Sequence, residues 1–186
     1  MLKNEVLKAL EVLKNGGIIV YPTDTVWCIG CDATHNQAVK KIKEIKKCRL
    51  SKGFNILLDS DNKLQSFVKQ VPEVAYDLIQ YAEKPLTIIY SGAKNLAQDI
   101  ITPDGSIGIC VVKHRFCQQL IQQFRKPLVA TSANISGDKT PKNFSEINPK
   151  LFELVDYVVN IEQNVIKENL PSTIMKLEAD GTFKFL

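Results

Sequence analysis

Five short apolar runs punctuate the sequence: IIVYP at 18–22, FNILL at 54–58, PLTIIYS at 85–91, SIGICVV at 106–112 and KPLVAT at 126–131. Each is too short for a buried helix and fits a buried strand, whereas the stretches between them repeat their apolar residues every three to four positions, as helices do. This alternation of periods two and 3.6 constrains the fold more than any other feature. It predicts an α/β domain with a twisted, mixed sheet and helices packed on its faces. DYVVNI, STIMKLE and GTFKFL read as further strands, the last two joined as a hairpin by the Asp180-Gly181 turn. At 186 residues, 45% of them hydrophobic, and with no stretch resembling a linker, the chain is expected to form a single domain over 1–186.

The helical stretches carry their own boundaries. Leu2, Val6, Leu10 and Leu13 share one face and run into Gly16-Gly17, a helix stop. Asn36 is expected to cap NQAVKKIKEIKKC, with Ala38, Ile42 and Ile45 inward and the lysines outward. Pro72 suits the first position of PEVAYDLIQYA, and RFCQQLIQQF packs Phe116, Leu120, Ile121 and Phe124. The segment after IIVYP reads as a polar loop.

A net charge of +4 is mildly basic, compatible with anionic ligands without requiring them. The charge is uneven: Lys40, Lys41, Lys43, Lys46, Lys47, Arg49 and Lys52 are opposed only by Glu44. Such a run is a solvated helix face or a binding patch. Five cysteines, at 28, 31, 48, 110 and 117, do not form the even framework of a disulfide-stapled secreted protein. Charges interrupt the N-terminal segment every few residues, and no run is long enough to span a membrane, so a soluble protein of the reducing cytoplasm is expected.

Chemistry concentrates where apolar runs end. TSANISG, residues 131–137, supplies hydroxyls, an amide and a glycine, the ingredients of a donor-rich anion cup and equally of a turn. YPTDTVWCIGCDA, residues 21–33, also begins at a strand end, where open α/β sheets bind ligands. There Thr23 and Thr25 offer hydroxyls, Asp24 caps or turns the loop, and Trp27 packs against a flat group or in the core. Lys47-Cys48-Arg49 places a point charge and a bidentate fork near one another, suited to a polyphosphate or to the negative end of a helix. Cys28 and Cys31 with His35 invite a zinc or redox reading, which the absence of a second tight pair weakens. No P-loop, dinucleotide fingerprint or nucleophile elbow is present.

Taken jointly, YPTDTVWCIGCDA, KCRLSKGF, TSANISG and PSTIMKL at 171–177 resemble, in this order and spacing, the YrdC/TsaC family of threonylcarbamoyl-adenylate synthases. The resemblance implies a twisted α/β fold with a basic concave face. It also implies an activity joining L-threonine, bicarbonate and ATP into threonylcarbamoyl-AMP and pyrophosphate, with Mg²⁺ arriving on ATP rather than in a protein cage of its own. A separate complex then transfers the threonylcarbamoyl group to tRNA. Carried over by motif, the catalytic pair is Lys47 and Arg49. The nucleotide set adds Ser132, Asn134, Ser136, Ser172 and Thr173, and the substrate set is Thr23, Thr25 and Cys110. The family's strand arginine, assigned to the substrate carboxylate, is here Cys110; its glycine is Cys28; its Pro-Gly pair is Glu83-Lys84. Lys84 and Lys113 are the cations nearest in sequence to the altered motifs. The alternative reading is a module that binds double-stranded RNA or tRNA through the basic face without synthase activity.

Overall fold

The computed structural model describes residues 1–47, 54–166 and 172–186. Helix α1 (Leu2–Lys14) leads into strands β1 (Ile19–Pro22) and β2 (Trp27–Gly30), then α2 (Asn36–Lys46) and β3 (Asn55–Leu58). Two short helices, α3 (Leu64–Phe67) and α4 (Val74–Gln80), precede β4 (Leu86–Tyr90) and β5 (Ile107–Val111). Helix α5 (Arg115–Phe124), β6 (Leu128–Ser132), two 3₁₀ turns, β7 (Tyr157–Val158), β8 (Thr173–Leu177) and β9 (Phe183–Phe185) complete the order.

Among the described residues the strands form one mixed sheet in the order β7-β1-β2-β6-β3-β5-β4-β8-β9. β1–β7, β3–β5 and β4–β8 are parallel and the other neighbours antiparallel. Alternation along each strand sends Val20, Ile29, Ile56, Ile88 and Ile109 to one core, where α2, α3 and α4 contribute Ile42, Leu64 and Ala75. It sends Tyr21, Cys28, Leu57 and Cys110 to a second core on the opposite face, closed by Val6, Leu10 and Leu13 of α1 and Phe116, Leu120 and Ile121 of α5. This second cover is incomplete. Ile174 of β8 pairs with Thr87 of β4 and remains 38% exposed.

Local chemistry explains several boundaries. Helix α1 ends in a Schellman arrangement: Gly17 N–H donates to the Val12 carbonyl (2.9 Å), Gly16 N–H to Leu13 (3.0 Å), and Gly16 takes φ +74°. Helix α2 is capped by His35, whose Nδ1 accepts from Ala38 N–H at 3.1 Å. Asn36 is instead the first helical residue, and its Oδ1 accepts from Gln98 N–H. Helix α4 starts at Val74, two residues beyond Pro72.

The larger correction concerns residues 23–33. They do not form one long loop: a tight turn at 23–26 returns the chain antiparallel to β1 as β2. Four residues containing a cysteine and a glycine give little strand signal, yet Gly30 is required there. The Tyr21 hydroxyl donates to the Val129 carbonyl at 2.7 Å, and a Cβ on Gly30 would stand 2.9 Å from Tyr21 Cε1 and 1.9 Å from that carbonyl oxygen. Trp27 lies in the core, 4.8 Å from the Phe144 ring centroid, rather than facing a ligand.

Glu5 ties α1 to the far edge of the sheet. Its carboxylate, 6% exposed, accepts from the Tyr157 hydroxyl, from Asn160 N–H (2.7 Å) and from Lys8 Nζ (3.3 Å). Burial pushes its pKa up, but hydrogen bonds from Tyr157, Asn160 and Lys8 outweigh this and hold it below the ordinary 4.5. A carboxyl depressed in the folded state stabilises fully above its unfolded pKa and loses that contribution as pH falls through the folded value. Glu5→Gln is therefore expected to lower stability at pH 7 by about 1–2 kcal/mol. The gap from the parent should close as pH drops below 4.5, as read by thermal melts across pH.

Candidate functional site

Where α1 and α5 stop covering the second face, a cavity of about 250 Å³ opens over β2, β6, β3, β5 and β4. Its floor is Cys28, Leu57, Cys110 and Val112; its rim carries the β1–β2 turn, Asn55, Thr87, Thr131, Ser132 and Ser172. Thr23, Thr25, Cys110, Ser132 and Ser172, named from four separate stretches of sequence, therefore meet around one space. Ser136 lies exposed beyond it, and Thr173 faces an apolar hollow between α4 and the β8–β9 hairpin. Arg49 lies outside the described residues.

The TSANISG segment is organised by an ammonium, and that ammonium belongs to Lys46. Its Nζ donates to the carbonyls of Ser132 and Asn134, each at 2.9 Å, and to Asn134 Oδ1. Ser132 Oγ donates to the same Oδ1 at 2.6 Å, and Asn134 Nδ2 to the Asp138 carbonyl at 2.7 Å. Lys47 caps α2 in the left-handed conformation, φ +44°, and its side chain lines a different hollow with Lys41, Glu44 and Asp156. The structure thus brings Lys46, not Lys47, to Ser132 and Asn134. The sequence signal was available: residue 46 continues the buried series Ala38, Ile42 at steps of four, so its stem shares the inward face.

At the other wall, Thr23 is 4% exposed and its hydroxyl donates to the Val26 carbonyl at 2.7 Å while accepting from Thr25 N–H at 3.2 Å. This hydroxyl shapes the turn. Asp24 Oδ2 accepts from the backbone N–H of Lys113 at 3.0 Å, tying the turn to the end of β5. Neither Lys84 nor Lys113 reaches the cavity: both line a neighbouring recess beyond Asp24, and Lys113 Nζ donates to the Ala82 carbonyl at 2.8 Å.

Two thiols face the cavity. Burial pushes Cys28 up to about 12, against the pull of the Thr23 hydrogen bond and the Lys46 charge. Burial, with Asp24 and Cys28 adding to it, pushes Cys110 up to about 12. Both remain protonated at neutral pH and offer neither a thiolate nucleophile nor a charge. Cys31 belongs to the opposite core from Cys28, as an offset of three along extended chain requires, and His35 is engaged as the α2 cap, so the three share no metal geometry.

Comparison with known proteins follows the same geometry. The family model Sua5_yciO_yrdC, described as Telomere recombination, matches residues 11–186. A threonylcarbamoyl-AMP synthase of Pseudoalteromonas translucida is 28% identical over 183 residues, 94% of this chain and 98% of the relative. A putative threonylcarbamoyl-AMP synthase of Methanocaldococcus jannaschii is 34% identical over 178 residues, 93% of this chain and 82% of the relative. Among solved structures, E. coli YciO superposes with a TM-score of 0.84 at 24% identity, covering 100% of this chain and 89% of that one. P. abyssi Sua5 complexed with L-threonine gives 0.84 at 24% identity and 92% coverage; this chain spans 50% of that protein's length.

If Lys46 organises the loop, Lys46→Met leaves two carbonyls without their donor and is expected to cost about 1–3 kcal/mol, whereas Lys47→Met stays within about 0.5 kcal/mol. Chemical denaturation of both variants checks this, and equal losses would assign the organising cation elsewhere.

Proposed function

The chain belongs to the Sua5–YciO–YrdC family, and from that premise we propose that it is a threonylcarbamoyl-AMP synthase, a nucleotidyltransferase acting on L-threonine, bicarbonate and ATP. The observation that carries this reading is the convergence on one cavity of Thr23, Thr25, Ser132 and Ser172, which come from three of the four stretches that jointly resemble the family. The name of the Pseudoalteromonas relative, whose length this chain matches at 98%, supports the same reading. The enzyme reading accounts for a concave, hydroxyl-lined cavity better than the double-stranded RNA module does, since shape-directed RNA binding requires only an exposed basic face.

The reaction has two steps. The threonine amine attacks bicarbonate carbon and water leaves, giving a carbamate; a carbamate oxygen then attacks the α-phosphorus of ATP and pyrophosphate departs. The first step asks the protein chiefly to hold and desolvate the amine and bicarbonate. The second asks for charge neutralisation around phosphorus and in-line alignment. Lys46, through the loop it fixes, presents Ser132 to the phosphate end, with Asn134 and Ser172 in the nucleotide set and Arg49 assigned there from its motif; Lys47, Ser136 and Thr173, which lie away from the cavity, are left out of it. Thr23, Thr25 and Cys110 line the amino-acid end. Mg²⁺ accompanies ATP. With both cavity thiols protonated, the route needs no covalent enzyme intermediate.

The product is assigned to a separate tRNA-modifying complex, and tRNA itself is a partner of that later step. Among the described residues no helix is long and apolar enough to cross a membrane; a cytoplasmic setting is part of the proposal.

Incubating the chain with ATP, bicarbonate and labelled L-threonine is expected to yield threonylcarbamoyl-AMP and pyrophosphate in equal amounts. Omitting bicarbonate or threonine should abolish both. Pyrophosphate release that ignores threonine, or none in the complete mixture, would overturn the assignment.

A further inference from the structure

The cavity must hold an amino acid's carboxylate if threonine is the substrate, yet no cation lines it among the described residues. The formally charged side chain in its wall is Asp24, and Cys110 at its floor is a neutral thiol. Of the polar side chains in the same wall that no hydrogen bond engages among the described residues, two lie on the strands beside Cys110. Thr87 is 3% exposed, and neither its hydroxyl nor the Asn55 amide has a hydrogen-bond partner among the described residues. A buried polar group left unpaired is destabilising unless something else pairs it, and both groups face the cavity rather than the core.

Sheet register explains how they come together. Cys110 of β5 pairs with Leu57 of β3 on one side and with Thr87 of β4 on the other; two residues earlier, Gly108 pairs with Asn55. Asn55, Gly108, Cys110 and Thr87 therefore share one face of three adjacent strands. Gly108 supplies the room. A Cβ there would lie 2.2 Å from Asn55 Oδ1, 3.1 Å from Asn55 Cγ and 3.4 Å from Thr87 Cγ2, so both side chains occupy the space that the glycine leaves open.

We propose that Asn55 and Thr87, brought together over Gly108, form a neutral carboxylate subsite that holds the α-carboxylate of the amino-acid substrate. An ionised carboxylate only accepts hydrogen bonds, and the Asn55 NH₂ and Thr87 hydroxyl are donors that nothing else engages among the described residues. The polarity of the cavity fixes the substrate's direction: its carboxylate lies away from Asp24, at the β3–β5–β4 floor, and its amine lies toward the Asp24 turn, where carbamate formation takes place.

This inference rests on threonine being the substrate, and the test separates the two. Calorimetric titration compares L-threonine with L-threoninol, which replaces the carboxylate by an alcohol, while ATP-induced thermal stabilisation reports on the remainder of the site. The parent chain is expected to bind L-threonine roughly tenfold or more tighter than L-threoninol, the loss anticipated for charge-assisted hydrogen bonds. Asn55→Leu with Thr87→Val should erase that preference and leave the ATP response intact. Thr87→Ser should keep it. Asn55→Asp, nearly isosteric and so independent of folding losses in the double variant, should invert it in favour of the alcohol. Retention of the preference in the double variant or in Asn55→Asp would overturn the subsite while leaving the activity standing. Failure of the parent chain to bind either ligand would overturn both.

Discussion

Side chains alternate across a strand, so a sheet whose central strands are apolar on both faces must hide both. Val20 and Tyr21, Ile56 and Leu57, Ile109 and Cys110 are neighbours along the chain and all are buried, in opposite cores. The first face receives α2, α3 and α4. Among the described residues the second receives α1 and α5, which pack on each other and cover the sheet from β1 toward β5. Beyond that line no described helix covers the second face, and the cavity is the space at the edge of the cover. Its placement is thus a consequence of how helices were distributed, and its chemistry follows from which residues happen to sit on that face: Cys28 on β2, Ser132 on β6, Asn55 on β3, Cys110 on β5 and Thr87 on β4.

Lys46 shows how the same packing organises the rim. A lysine on the inward face of α2 cannot leave its ammonium unsolvated, so the cation must find acceptors where β6 ends. Ser132 still pairs with Cys28 of β2 but lies two residues beyond Ala130, the last β6 residue paired with β3 among the described residues, so its carbonyl is available there, and the Asn134 carbonyl and side chain close the set. One buried charge thereby fixes the path of the chain from Ser132 to Asn134, alongside the core packing of Ala133 and Ile135. Its field also reaches Cys28, where it opposes the effect of burial without overcoming it.

Much of this was legible in the sequence. The apolar runs at 54–58, 85–91 and 106–112 became β3, β4 and β5, because apolar runs too short for a buried helix have few other solutions. The hairpin at Asp180-Gly181 followed from turn chemistry, with Gly181 at φ +88°. β2 was hidden because its glycine, needed beneath Tyr21, lowers strand propensity; the requirement arises from β1 and β6, not from local sequence. The choice between Lys46 and Lys47 turns on about 100° of helical phase, and reading a motif by its pattern of types passes over phase. Trp27 went to the core, where Phe144, more than a hundred residues later, packs against it at a tilt. Asn55 and Thr87 lay inside apolar strands and looked like ordinary strand residues, since only the register with Gly108 and Cys110 puts them side by side.

A polar residue near a cavity is available to a ligand only to the extent that the fold has not already engaged it. By that measure the rim divides. The Thr23 hydroxyl holds its turn together, the Ser132 hydroxyl is bonded to Asn134, and Asp24 anchors Lys113, so these groups shape the cavity and meet a ligand through their remaining lone pairs or by exchanging a partner. Asn55 and Thr87 have no partner to give up among the described residues. Exchanging an existing hydrogen bond for a ligand's yields little net free energy, whereas supplying a first partner to a buried donor recovers its desolvation cost. Residues that a sequence motif makes conspicuous can therefore be those that build the site, while discrimination between ligands falls to inconspicuous groups that the fold leaves unpaired.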